Sequence, residues 1–182
     1  MRRVRYSVAA SLDGYIAGPQ GESDWIVMDP ELDFNALFSS FDTILLGRKT
    51  YEATKQPGSG GGMPGMQSYV FSRTLRPEDC PGVILSESPE EVIKDLKSKE
   101  GKDIWIFGGG SLFRSLLELG LVDSVEVAIM PVLLGGGIPF LPPPAKIAKL
   151  KLVHHQVYEK TGTVSLEYAV SQRRKGGRGK TL

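Results

Sequence analysis

The sequence predicts an α/β sandwich: a mixed, mainly parallel sheet with helices on both faces and an antiparallel hairpin at its C-terminal end. Three observations predict it. Short runs of Ile, Val and aromatic residues alternate with stretches of helical periodicity through residue 130, the order that builds a parallel sheet. Several of these runs are apolar at successive positions, as suits strands covered on both faces. Beyond residue 130, "KLKLVHHQVYEKTGTVSLEYAVSQ" reads as two strands around "EKTG", a hairpin that closes one sheet edge.

Taken in order, "VRYSV" from Val4 is the opening strand, and "TILL", "YVFS", "VILS", "IWIF" and "SVEVAIM" supply the others. Between them, "DPELDFNALFSSF" repeats Phe34, Leu37, Phe38 and Phe41 at helical spacing, with Asp29 as N-cap and Pro30 in the first turn. "SPEEVIKDLKSKEG" carries a capping box, Ser88 with Glu91, and Gly101 as its stop. A last helix buries Leu112, Phe113, Leu116 and Leu117 and ends at Gly120. Two glycine-rich loops, residues 57–66 and 133–144, are long enough to act as flaps.

The 182-residue chain is 41% hydrophobic and 24% charged, which suits one domain, residues 1–172. No apolar run approaches the ~20 residues of a membrane span. The N-terminus turns polar too early for a secretory signal, so the expected location is the cytoplasm. Cys80 reads as a plain loop thiol. Five basic groups in residues 173–182 leave the body at −4 of the net +1, so no nucleic-acid partner is expected and the tail reads as a solvated terminus.

Why does "IWIF" run into Gly108, Gly109 and Gly110 before a helix? Either the chain turns too sharply for a Cβ, or a phosphate lies against bare backbone at the free N–H groups near Gly110 and Ser111. The loop lacks the Gly-Lys-Ser/Thr of a P-loop. Phe113 stands where a dinucleotide fingerprint needs its third glycine. Two further strand ends favour the phosphate: Gly47, Arg48, Lys49 and Thr50 in "LLGRKTYEA", and Ser72, Arg73 and Thr74 in "YVFSRT". Strand ends of this kind gather along one sheet edge, and arginine matches a phosphate monoester, which argues for NADP over NAD.

Six stretches, "ASLDGYIAG", "GESDWI", "ILLGRKTYE", "YVFSRT", "IFGGGSLF" and "PVLLGGGIPF", stand in the order and rough spacing of the dihydrofolate-reductase-like superfamily. Over residues 4–170 the chain most resembles the branch holding the C-terminal reductase domain of bacterial riboflavin biosynthesis and its stand-alone relatives. The resemblance implies a three-layer sandwich, bound NADPH, a small heterocyclic substrate and a homodimer, for which "VAIMPVLLGGGIPFL" offers contact surface. It further implies a cis peptide between Gly108 and Gly109, with Gly110, Ser111 and Leu112 presenting N–H groups to the pyrophosphate. Arg48, Lys49 and Thr50 would grip phosphates, and Ser72 and Arg73 would flank the 2′-phosphate. Ala9 and Ile16 would meet the nicotinamide carboxamide, and residues 13–25 would cover it. Asp13, Ser23 and Trp25 fall on the substrate side.

The chain departs from these relatives in two places. "GGMPGMQS" stands where dihydrofolate reductases hold an arginine for the folate tail, and Ser7 stands where the riboflavin reductases usually carry lysine. A protonated C=N accepts hydride better, so an acid is needed near the substrate. Asp33 is the first candidate and Glu31 the second; Asp29 reads as a cap. His154 and His155 read as ordinary strand residues, and no metal-ligand spacing is present. A non-catalytic NADP-binding or assembly module stays open as the alternative, since fold does not dictate function.

Overall fold

A computed structural model describes residues 1–55 and 63–171. The strands are β1 Val4–Ser11, β2 Tyr15–Ala17, β3 Phe41–Gly47, β4 Gln67–Phe71, β5 Ile84–Ser86, β6 Asp103–Gly108, β7 Ser124–Met130, β8 Ile138–Pro139, β9 Leu150–Tyr158 and β10 Thr163–Val170. The helices are α1 Phe34–Ser39, α2 Arg48–Thr54, α3 Pro89–Ser98 and α4 Gly110–Glu118. The main sheet runs β5-β4-β3-β6-β1-β7-β10-β9. Every pairing from β5 to β7 is parallel, while β10 is antiparallel to both β7 and β9. The C-terminal ends of the parallel strands therefore share one edge, where ligands bind in open α/β sheets.

Two cores make the three layers. On one face Ile93 and Leu96 of α3 and Leu112, Phe113 and Leu116 of α4 pack on Val4, Tyr6, Leu45, Ile104, Ile106 and Val125. On the other, Tyr51 of α2 and Leu37 of α1 pack on Ile44, Leu46, Val70 and Trp105. β6 feeds both, since Ile104 and Ile106 point one way and Trp105 the other, and each fully buried aliphatic side chain contributes about 1.5–3 kcal/mol. The opposite, N-terminal edge is closed by charge pairing. Arg5 donates to Glu126 at 2.6 and 2.7 Å and lies 4.5 Å above the Phe41 ring, while Arg2 pairs with Asp42.

Several local expectations are corrected. Asp33, not Asp29, caps the first helix, accepting from the Ala36 N–H at 2.9 Å. Asp29 is buried and accepts instead from the Glu31 N–H at 2.8 Å and the Thr161 hydroxyl at 2.9 Å. Ser88 precedes α3 without a side-chain cap bond, so its capping box is not formed. Cys80 is no loop thiol at the surface but is buried in the α2-side core. The two-stranded ribbon of β2 and β8 has no counterpart in the sequence reading. Residues 57–62 of the first flap and the whole basic tail lie outside the described residues. Among the described residues no helix is long and apolar enough to cross a membrane.

Candidate active site

Gly47 ends β3 and Gly108 ends β6, and the two strand ends touch. A Cβ built on Gly47 would lie 3.7 Å from the Gly108 carbonyl oxygen and 3.9 Å from the Gly109 nitrogen. Register also pairs Leu46 with Gly108 and Gly47 with Phe71, so the Ser72–Arg73 turn follows directly beside Gly47. The three strand ends singled out in the sequence are thus contiguous.

The three glycines at 108–110 have three different causes. Gly108 has φ +146, a conformation that side chains rarely adopt, and the bond to Gly109 is cis. Gly110 is walled in by protein: a Cβ there would fall on the Pro139 carbonyl oxygen and 2.9 Å from both the Phe140 oxygen and Pro142 Cδ. Gly109 is different. Its backbone, φ −86 and ψ −173, is open to any residue, and an added Cβ would meet only the Thr50 hydroxyl, at 3.4 Å. Nothing in the described fold requires a bare backbone there, so the close-approach reading of the sequence survives at this position.

Gly109 is also the N-cap of α4, with no side chain to satisfy the helix. Leu112 and Phe113 donate to the Gly109 carbonyl at 2.9 and 3.2 Å, which corrects the expectation that the Leu112 N–H faces a ligand. Gly110 and Ser111 open the first turn, where an N–H has no intrahelical acceptor and favours an anion. The donor set fits a pyrophosphate: two N–H groups, the Thr50 hydroxyl and a side-chain-free approach.

Charged groups flank it unevenly. Arg48 is held by Glu52 at 2.8 Å one helical turn on, whereas Lys49 and Arg73 are exposed. The Ser72 hydroxyl accepts from the Thr74 and Leu75 N–H groups, both at 3.1 Å, so it shapes the turn that presents Arg73.

Two loops meet over this edge. The Phe140 N–H donates to the Gly14 carbonyl at 2.9 Å, the Leu12 N–H to Val132 at 2.9 Å, and Tyr15 pairs with Pro139. Asp13 is the clasp: it accepts from the Gly135 N–H at 2.7 Å, the Leu134 N–H at 3.1 Å and the Ser11 hydroxyl at 2.6 Å. The Ser11 bond, chiefly, with those two amides holds its carboxyl below the ordinary carboxylate range. Both oxygens are so engaged, which makes Asp13 a fastener between the two loops. Ala9 lies on half-buried β1 and Ile16 on β2. Ser23 is exposed, and Trp25 is half-buried with its indole N–H donated to Glu22.

Asp33 stands at the start of α1, which leads directly into the N-terminal end of β3. Glu31 is ion-paired with Lys160 at 2.9 Å, and one Asp33 oxygen serves the cap. At Ser7, where the resembling reductases carry lysine, the backbone carbonyl accepts the Trp105 indole N–H at 2.9 Å. The clasp and the Lys160 and Thr161 ties were missed in the sequence, since nothing in residue order marks a contact across 120 positions or more.

A family model of the RibD C-terminal domain matches residues 2–164. The chain is 35% identical over 178 residues to YyaP, an uncharacterized protein of Bacillus subtilis (strain 168), covering 92% of this chain and 94% of that one. In structure it resembles a pyrimidine reductase-like protein from Corynebacterium diphtheriae, with a TM-score of 0.69 at 18% identity over 94% of this chain and 93% of the other. Dihydrofolate reductase from Enterococcus faecalis, complexed with NADP(H), shares the fold at a TM-score of 0.65 and 18% identity, covering 92% and 96%.

Proposed function

Since the chain belongs to the RibD C-terminal domain family, we propose that it is an NADPH-dependent reductase. Its acceptor is a C=N or equivalent carbon of a pterin-like or ribosylaminopyrimidine-like heterocycle. One observation carries the reading: at Gly109 the protein leaves its backbone bare without structural need, between the Thr50 hydroxyl and the open turn of α4. NADPH supplies the hydride when bound. The chain's residues bind and orient. Gly110 and Ser111 N–H groups with Thr50 hold the pyrophosphate, Lys49 and Arg73 select the 2′-phosphate, and the Asp13-clasped loops exclude water. Trp25 offers a flat wall for the substrate ring. Asp33, whose second oxygen lies outside its cap bond, holds the proton destined for the acceptor nitrogen.

One observation favours a non-catalytic NADP-binding module instead: Glu31 is neutralised by Lys160 and Asp33 is partly committed as a cap, which leaves no dedicated acid. Titration with NADPH and NADH, followed by absorbance under a panel of pterins and ribosylaminopyrimidines, separates the two. The reductase binds NADPH more tightly than NADH and oxidises it with one acceptor class. Binding without turnover on every acceptor establishes the module, and equal indifference to both nucleotides removes both readings.

A further inference from the structure

The charges of α4 run in the order that its dipole disfavours. Its first turn holds no acidic residue, its last turn no basic one, and its two charged residues are Arg114 and, four positions on, the terminal Glu118. An acid ahead of a base is the stabilising order on a helix, so helix stability does not account for Arg114. Nor does an ion pair. In α2 the same spacing and order form a closed pair, Arg48 with Glu52 at 2.8 Å, but Arg114 leaves Glu118 aside.

Arg114 turns instead to the run of prolines after β8. Its Nη1 donates to the Pro143 carbonyl at 3.1 Å and to those of Pro142 and Pro144 at 3.4 Å. Three successive prolines carry no N–H and cannot pair as a strand, so their carbonyls take a donor from the neighbouring helix. The same segment closes over Gly110, four residues before Arg114 and hence on the same face of α4: Pro142 Cδ and the Phe140 oxygen would both lie 2.9 Å from a Cβ there. On its other side the segment is fastened to the β1–β2 turn, through the Phe140 N–H to the Gly14 carbonyl and the pairing of Tyr15 with Pro139.

We propose that Arg114 is a positioning residue of the nucleotide site, a role that rests on the reductase reading. By gripping the carbonyls of Pro142 to Pro144 it seats residues 139–144 against Gly110, and this fixes the first turn of α4, whose Gly110 and Ser111 amides receive the pyrophosphate. Among the described residues no carboxylate pairs with Arg114, so its charge adds to the positive end of the helix rather than being cancelled. NADPH and NADH share the pyrophosphate. Arg114 therefore acts on both alike, unlike Lys49 and Arg73, whose 2′-phosphate only NADPH carries.

The test uses the full chain with Arg114→Met, which removes charge and donors, and Arg114→Lys, whose ammonium has three N–H groups for three carbonyls. Calorimetric titration with each nucleotide and amide exchange without nucleotide are read on both variants and the wild type. Arg114→Met is expected to weaken NADPH and NADH by the same factor, about 10- to 30-fold, and to speed exchange at Gly110 and Ser111. Arg114→Lys is expected to restore both affinities to within about threefold of wild type. Should Arg114→Met not fold, Arg114→Gln takes its place with the same direction expected. A neutral variant that binds both nucleotides as the wild type does overturns the proposal, as does unchanged exchange at Gly110 and Ser111. A loss confined to NADPH overturns it in favour of a 2′-phosphate contact, and a lysine variant as weak as the neutral one overturns it too. A wild type that binds neither nucleotide overturns the reductase reading and this role together, whereas the other outcomes leave that reading standing.

Discussion

Substituting Gly109 by Ala separates binding from folding more cleanly than any other change in the site. The added methyl sits 3.4 Å from the Thr50 hydroxyl and otherwise in open space, and the local φ and ψ suit alanine. Alanine also narrows the unfolded ensemble, worth about 0.4–1 kcal/mol, which offsets the small crowding at Thr50. Stability should therefore hold within about 1 kcal/mol, or roughly 2–4 °C in Tm for a chain of this size. Binding is another matter. A hydrogen bond to a charged group contributes about 1.5–3 kcal/mol, and a methyl standing where the pyrophosphate approaches displaces one or two such bonds. A loss of about 2–4 kcal/mol corresponds to roughly 30- to 1,000-fold in Kd. Calorimetric titration with NADPH, paired with thermal melts of both proteins, reads the two quantities. An unchanged melt with Kd within threefold of wild type would refute the close-approach argument, and a collapsed melt would show Gly109 to be a folding residue.

Gly110→Ala should do the reverse, because its methyl collides with the carbonyls of Pro139 and Phe140; overpacking of this kind costs about 1–3 kcal/mol, visible in a melt without nucleotide. Lys49→Ala and Arg73→Ala should each lower the preference for NADPH over NADH about 3- to 10-fold while leaving NADH affinity unchanged, the size of an exposed charge contact. Asp13→Asn should loosen the clasped loops, seen as faster amide exchange at Leu134 and Gly135. Because the Asp13 carboxyl is held below its unfolded value, its contribution is fully present above about pH 3.9 and fades as pH falls through the lowered value. The melting difference between wild type and Asp13→Asn should therefore close in strong acid and stay constant at neutral pH. Asp33→Asn keeps an N-cap acceptor, so it should fold normally and bind NADPH normally while turnover drops about 10²- to 10⁴-fold.

The parallel core was legible because each strand announces itself locally. "TILL", "IWIF" and "SVEVAIM" are rich in β-branched residues and end abruptly at glycine or proline, and the structure extends the first by three residues, the second by two and the third by none. That Gly47 and Gly108 share one sheet edge followed from sheet logic alone, since both close parallel strands, whereas their contact comes from the pairing of β3 with β6. Less legible was the region from Asp29 to Asp33, where two acidic residues stand ahead of one helical run. The choice between them is made by Thr161, whose hydroxyl claims Asp29 from 132 positions away and leaves Asp33 to cap. The fastening role of Asp13 was hidden for the same reason, its amide donors at Leu134 and Gly135 being remote in sequence. Gly110 shows a further limit: three identical residues in a row carry no mark of which is bare for the fold and which for something else.

The central claim is that a 2′-phosphorylated nicotinamide nucleotide lies across the joined ends of β3, β4 and β6. A crystal structure of the wild-type protein grown with NADPH tests it directly. The expected result places the pyrophosphate within hydrogen-bond reach of the Gly110 and Ser111 N–H groups, with the 2′-phosphate beside Arg73. Density for the nucleotide anywhere else, or a Gly109 backbone covered by the protein's own chain, would contradict it.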